Sequence, residues 1–355
     1  MVACASIVRE SFGRLQAGGE VERFVLRNRP GMEAQILSYG GTVMRLTAPD
    51  RLGRYANVTL GHRRLADYLA DEHYFGGIIG RCANRIAGAR FEIDGVAFHV
   101  ARNCGQHSLH GGLAGFDKVL WKATDATVNS SGAQLRLEYL SHDCEQGYPG
   151  TLRVDAIYTL ADDNSLRLDC TATTDRPTVV NLTQHSYFNL NGASDVLGHV
   201  LQIRAQRFTP TDGEQIPTGE LRAVEGTAFD FRQPTAIGAQ ICAADEQLRV
   251  AHGYDHNWVI DKPPNDLAVV ASLYEPTSGR RLQVLSNQPG LQFYSGNSLD
   301  GGRGLPDGRS HGFRSGLCLE PQHFPDSPNR PGFPSVVLRP GAVYANTIIH
   351  RFTAE

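Results

Sequence analysis

In the stretch TLRVDAIYTL, Leu152, Val154, Ala156, Tyr158 and Leu160 occupy every second position, with Arg153 and Asp155 between them. Side chains of an extended strand point alternately to opposite faces, so a period of two builds a strand with one buried face and defeats an amphipathic helix. After the turn-forming ADDN, SLRLDCTA repeats the pattern with Leu166, Leu168, Cys170 and Ala172, which predicts a hairpin with a longer loop. Segments 134–140, 90–100, 201–208, 267–276, 280–287 and 335–340 alternate in the same way, and 341–352 closes the chain. Gly, Pro, Asn and Asp separate them. Many short strands with such punctuation predict an all-β protein, a large antiparallel β-sandwich.

Helical signals are few. HRRLADYLAD (62–71) places Leu65, Tyr68 and Leu69 at i, i+3 and i+4, and TAIGAQICAADEQL (235–248) predicts another short helix. No linker, repeat or low-complexity tract divides the 355 residues, so a single domain over 1–355 is expected.

Net charge is −3 with no run of like charges, so neither nucleic acid nor a membrane surface is an expected partner. Only Lys118, Lys122 and Lys262 are lysines among 34 basic residues, but the arginines are scattered, as a codon bias would leave them. Seven dispersed cysteines without a CxxC pair argue against a disulfide framework and a structural zinc site. MVACASIVRESFGRL meets Arg9 and Glu10 before an apolar run forms, so no signal peptide is expected, and no stretch is apolar enough for a membrane span. A reducing, cytoplasmic setting is the expectation.

Chemistry is sought first in cofactor motifs. GGIIG (76–80) lacks the spacing and βαβ context of a dinucleotide loop, and GxxxxGK[ST] and GxSxG do not occur. HSLH (107–110) and HGYDH (252–256) contain potential metal ligands, but Gly253 disfavours a helical pair in the second, so no metal is expected. No cofactor is expected either. Polar residues remain in punctuated segments: ANRI (83–86), LHGG (109–112), TQHSYFNL (183–190), GYDHN (253–257), NQPG (287–290) and CLEPQHFPDSPN (318–329). Singly, each has an ordinary reading. His185 can be a structural histidine, Arg85 an ion-pair partner, Asp255 a turn cap, and Tyr187 a core aromatic. In the last segment an apolar run ends on Glu320, with Pro321 next and Pro325 close behind. The prolines predict that the strand gives way after Glu320 to an irregular, rigid loop.

Taken in order, GRCANRI, LHGG, GFDKVLW, GYPGTL, NLTQHSYFNL, GYDHN, QPGLQFYSGN and LEPQHFPDSPN closely resemble the motifs of the aldose 1-epimerase (galactose mutarotase) family, from about Gly40 to the last strand. The resemblance implies a β-sandwich with a sugar site in an open cleft on one sheet. It implies Glu320 as general base and His185 as general acid. It further implies that Asn84, Arg85, His110, Tyr187, Asp255 and Gln288 bind the sugar. Cys82 and Trp258 depart from the usual pattern, the latter with a possible effect on packing beside Asp255.

The implied reaction interconverts the anomers of a free monosaccharide. The C1 hydroxyl loses a proton, the ring oxygen gains one, the C1–C2 bond rotates, and the ring closes on the other face. One acid and one base suffice. With these roles the rate should fall at low pH as Glu320 protonates and at high pH as His185 loses its proton. Rival readings are a glycoside hydrolase using Glu320 and Asp255 as paired carboxylates, a sugar-binding protein without activity, and an epimerase of pentoses or phosphosugars. The physiological aldose stays open, as does the choice between monomer and homodimer.

Overall fold

Three antiparallel sheets hold most of the strands. The computed structural model describes residues 4–192, 195–301 and 311–355. The first five strands, Ser6–Arg14 through Tyr55–Asn57, pair in sequence order as one sheet. A nine-stranded sheet is built on the 152–174 hairpin. It runs from Lys122–Asn129 at one edge, through Leu152–Leu160, Ser165–Thr174 and the closing strand Tyr344–Ala354, to Thr235–Ala236 at the other. A six-stranded sheet has the order Tyr187–Phe188, Leu317–Gln322, Gly290–Tyr294, Asp255–Ile260, Ala205–Thr209, Arg222–Ala223.

The alternation explains how these sheets bury their inner faces. Leu152, Val154, Ala156, Tyr158 and Leu160 join one apolar cluster with Phe24, Leu26 and Ile36 of the first sheet and Trp258, Leu291 and Phe293 of the third. The expected hairpin forms, with Leu160 opposite Leu166 and Leu152 opposite Thr174.

Several local expectations are corrected. Segment 90–100 is two strands, Arg90–Ile93 and Val96–His99, because Asp94 and Gly95 both take positive φ and turn the chain back on itself. Segment 201–208 breaks at Arg204: Val200–Ile203 belongs to the nine-stranded sheet and Ala205–Thr209 to the six-stranded one. In 335–340 only Val337–Leu338 is a strand. The helix Leu65–Leu69 forms within 62–71, burying Leu65 and Tyr68 and leaving Leu69 exposed. Segment 235–248 is mostly not helical. It holds the strand Thr235–Ala236, a 3-10 turn Ile237–Ala239, and only the start of a helix at Glu246–Ala251. The Asp245 side chain accepts from the Gln247 N–H there, so the N-cap sits late in the segment.

Candidate active site

The floor of the site is one face of the six-stranded sheet. Asp255, Tyr294 and Cys318 lie opposite one another across three adjacent strands, as do Asn257, Gln292 and Glu320. Directly opposed residues share a face, so these six side chains form a polar field. The alternate positions Trp258, Leu291, Phe293, Leu317 and Leu319 turn into the apolar core. Trp258 therefore sits on the opposite face from Asp255, and its indole N–H donates to the Phe229 carbonyl at 3.0 Å.

Glu320 is inside its strand, not at its end, which corrects the sequence expectation. The strand runs through Gln322, with Pro321 opposite Leu291. On the other side, Tyr187–Phe188 pairs only with Cys318 and Leu317. Beyond Cys318 that ladder has ended, so a residue without an N–H is tolerated there.

Loops raise the walls. Asn84 and His110 both adopt positive φ in turns that meet at the cleft. The Asn84 N–H donates to His110 Nδ1 at 3.2 Å, and the His110 N–H to the Asn84 carbonyl at 3.1 Å. This leaves Nε2 of His110 as its free ring position. Gly111 is required beside it: a Cβ there would lie 1.9 Å from the Gly80 carbonyl oxygen. The cleft has a volume of about 290 Å³ and is lined by Asn84, Arg85, His110, His185, Tyr187, Asp255 and Glu320, seven of the eight residues expected from sequence. Such a volume lies near the small end of the ~300–1,000 Å³ typical of ligand sites.

At its base, His185 Nε2 stands 3.7 Å from Glu320 Oε1. The other ring nitrogen, Nδ1, is 3.5 Å from the Cys318 sulfur. His110 packs edge-on against His185 with ring centroids 5.2 Å apart, and Tyr74 covers both rings. Lys118 in turn lies over the Tyr74 ring at 4.4 Å. Burial pushes the Glu320 carboxyl well above its ordinary range; the negative charge of Asp255 adds to this and Arg85 opposes it. Burial also pushes His185 down to about 4 and His110 well below its usual value. His110, His185 and Glu320 offer ligand atoms that all lie within 4.8 Å of one another.

Arg85 is held between Asp255, at 3.8 Å, and the side-chain carbonyl of Gln215, to which it donates. Glu320 Oε2, Gln292 Oε1 and Arg85 Nε are buried without a hydrogen-bond partner in the protein. Buried polar atoms are normally satisfied, so these three are left open to a further hydrogen-bond partner.

Gln288 is the expected residue that the structure does not bring to the cleft. Its side chain is buried in the loop before Gly290–Tyr294, with Oε1 2.8 Å from His323 Nδ1 and Nε2 donating to Asn287. Gln292, four residues on, takes the position on the floor. It is opposite Glu320, and its amide donates to Asp255 Oδ1 at 2.7 Å. Alternation through QPGLQFY carries the signal, since it puts Gln292 on a strand and Gln288 before it. Tyr74, Gln215, Tyr294 and Cys318 also belong to the site and stood in no recognised motif role.

The aldose 1-epimerase family model matches residues 22–351. Galactose mutarotase of Homo sapiens is 43% identical over 98% of this chain and 99% of that protein. Aldose 1-epimerase of Escherichia coli K12 is 38% identical over 93% and 94%. The crystal structure of galactose 1-epimerase from Lactobacillus acidophilus superposes with a TM-score of 0.87 at 27% identity, covering 99% of both chains. The GalM/aldose epimerase homologue from C. elegans gives 0.84 at 28%, again over 99% of both. With a family model over nearly the whole chain and relatives of this identity over nearly their whole length, the chain belongs to the aldose 1-epimerase family.

Proposed function

We infer that this protein interconverts the α and β anomers of free aldoses, with galactose and glucose the first to test, by acid–base opening of the sugar ring. The observation that carries this is the buried pair Glu320–His185, 3.7 Å apart at the base of a cleft of about 290 Å³. Glu320 takes the proton of the C1 hydroxyl and His185 protonates the ring oxygen. After rotation about C1–C2, the same two groups run in reverse on the other face. The pair needs one proton between its members. Burial favours the two neutral forms, carboxyl protonated and imidazole not. The working arrangement is that pair with its proton moved to the imidazole as the sugar's hydroxyls replace lost solvation.

His110 enters as a neutral hydrogen-bond donor, because its Nδ1 already accepts from Asn84. Asn84, Arg85, Asp255 and Gln292 hold distal hydroxyls, which leaves C1–C2 free to rotate. Asp255 pairs with Arg85 and accepts from Gln292, an arrangement suited to binding rather than to the second carboxylate of a hydrolase. Among the described residues lining the cleft, Arg85 is the only guanidinium or ammonium, against Glu72, Asp255 and Glu320. That balance favours an unphosphorylated sugar. All seven cysteines are free and three are exposed, which supports a reducing, cytoplasmic setting.

The test is polarimetry on freshly dissolved single-anomer aldoses, with purified protein, no added metal or nucleotide, and the spontaneous rate subtracted. Faster approach to the anomeric equilibrium is expected. No acceleration for any aldose, or release of new reducing ends from glycosides, would overturn the assignment.

A further inference from the structure

We propose that Gln215 is a specificity-determining residue of the cleft: together with the Arg85 that it holds, it bonds a sugar hydroxyl on the side of the ring away from C1 and the ring oxygen. The orientation of the sugar rests on the mutarotase reading; the contact with a sugar does not.

The order of the six-stranded sheet sets the direction. Glu320 lies on Leu317–Gln322, Gln292 on the next strand and Asp255 on the one after. The fourth strand, Ala205–Thr209, ends at Thr209 and leads into the turn that carries Gln215. Three strand spacings of ~4.8 Å, roughly 14 Å in all, separate the strand of Glu320 from the one that supplies Gln215. Both side chains line the same cleft. A chain of contacts joins them. Gln292 is opposite Glu320 and donates to Asp255, Asp255 stands 3.8 Å from Arg85, and Arg85 donates to Gln215 Oε1. In a pyranose, C4 lies across the ring from C1, and C3 across from the ring oxygen. With C1 and the ring oxygen at Glu320 and His185, the hydroxyls on C3 and C4 are therefore presented to Arg85 and Gln215.

The turn holds Gln215 still. Asp212 Oδ1 accepts from the N–H groups of Glu214 and Ile216 at 2.9 and 3.0 Å. Gln247 grips Thr211 with both ends of its amide, at 2.7 and 2.8 Å. Glu214 stands 3.6 Å from His107 Nε2, which ties the turn to the HSLH segment. Gln215 itself has φ +62, a conformation that L side chains rarely adopt and that gathers at ligand sites. Its Oε1 is taken by Arg85, whereas its amide nitrogen donates to no described residue and is left for a hydroxyl.

The test pairs loss of the amide with loss of single hydroxyls. Magnetisation-exchange NMR reads the interconversion rate at anomeric equilibrium, so no pure anomer is needed. Gln215→Ala and the longer Gln215→Met are each expected to lower kcat/KM for glucose by about 5- to 100-fold, mostly through KM. With 3-deoxyglucose or 4-deoxyglucose, whichever lacks the bonded hydroxyl, wild type and variants should agree within about twofold. With 2-deoxyglucose and 6-deoxyglucose the loss should persist. Unchanged kcat/KM for glucose, an equal loss for every analogue as a purely structural role would give, or a loss that shrinks only for the 2-deoxy or 6-deoxy sugar overturns the inference. Dissociation constants for the same sugars, from ligand-observed NMR titration, should show the same pattern. If the wild type exchanges no aldose, the assigned function fails, and those constants decide the contact by the same criteria. Near-ultraviolet circular dichroism of both variants confirms that the fold is kept.

Discussion

Glu320 and His185 titrate as a pair, and their shifts set the pH range over which one proton remains between them. The acid boundary is the gain of a second proton by His185, near 4. The alkaline boundary is the ionisation of Glu320, well above the usual carboxylate range. Turnover should thus stay level through neutral pH, fall as pH drops through about 4, and fall again on the alkaline side. This exchanges the two limbs of the sequence expectation, in which protonation of Glu320 set the acid fall and loss of the His185 proton the alkaline one; for a histidine at the ordinary value of about 6.5 that alkaline fall would begin already near neutral pH. A pH–rate profile with the spontaneous rate subtracted separates the two, because only an unshifted histidine makes the rate decline between pH 6 and 7. Glu320→Gln keeps size and one acceptor oxygen but cannot exchange a proton. Its turnover should drop by roughly 10²–10⁴ with a modest change in KM, and the alkaline limb should vanish with it. Normal turnover in this variant would remove the base from the mechanism. The two glutamines give a matched test of the floor. Gln292→Ala should weaken sugar binding by about 1–3 kcal/mol, since it strips a donor from Asp255 and removes a buried, unpartnered acceptor opposite Glu320. Gln288→Ala should leave kcat/KM near its starting value. The reverse result would restore Gln288 to the sugar site.

At the scale of elements, what was legible in the sequence was whatever alternation or a fixed motif could carry. The hairpin at 152–174 forms as read, because each strand shows four or five apolar residues to a single face. The sheet change at Arg204 was invisible, since alternation continues through it and only tertiary pairing separates Ile203 from Ala205. The short helix expected within 235–248 forms only at its end, as Glu246–Ala251, because the earlier apolar spacing is satisfied by a strand and a turn that pack Ile237, while the cap lies at Asp245. Gln288 was misplaced for a related reason: a motif match names a segment, and only the register of Gly290–Tyr294 against Leu317–Gln322 shows which glutamine faces Glu320. The turns that bring Asn84 and His110 together were legible as motifs but not as geometry. Gly111 exposes that dependence. It has φ +91 and no room for a Cβ against the Gly80 carbonyl. Gly111→Ala should therefore cost more than the ~1 kcal/mol of an ordinary Gly exchange. It should also displace His110, so that activity falls along with the melting temperature. Unchanged melting and unchanged turnover would show that the two turns can separate without harm to the site.

The site draws on residues from Glu72 to Glu320, so its precision depends on how the whole molecule holds together. The largest apolar cluster runs from Phe24 to Phe352 and includes side chains of all three main sheets. Smaller clusters lie under Tyr68 and Phe75 and around Phe91 and Tyr148. A shared core of this kind couples its parts, because loosening one sheet exposes the faces that the others bury. Chains of this length often unfold through intermediates, so a single transition is not a foregone result. We propose that residues 1–355 form one cooperative unit, and the two tryptophans allow the test. Trp121 packs with Phe116 and Tyr139 beside the first strand of the nine-stranded sheet. Trp258 lies in the six-stranded sheet among Phe229, Phe231 and Phe293. Trp121→Phe and Trp258→Phe each leave one reporter, in a different part of the core. If the molecule is one unit, urea transitions followed by either tryptophan coincide within each variant with the loss of far-ultraviolet circular dichroism and of mutarotase activity. Each substitution shifts the midpoint, but it leaves the slope unchanged. Should the Trp258 signal and activity disappear at lower urea than the bulk of the β signal, the six-stranded sheet would be a separable unit. The cleft would then owe its geometry to local packing rather than to the sandwich as a whole.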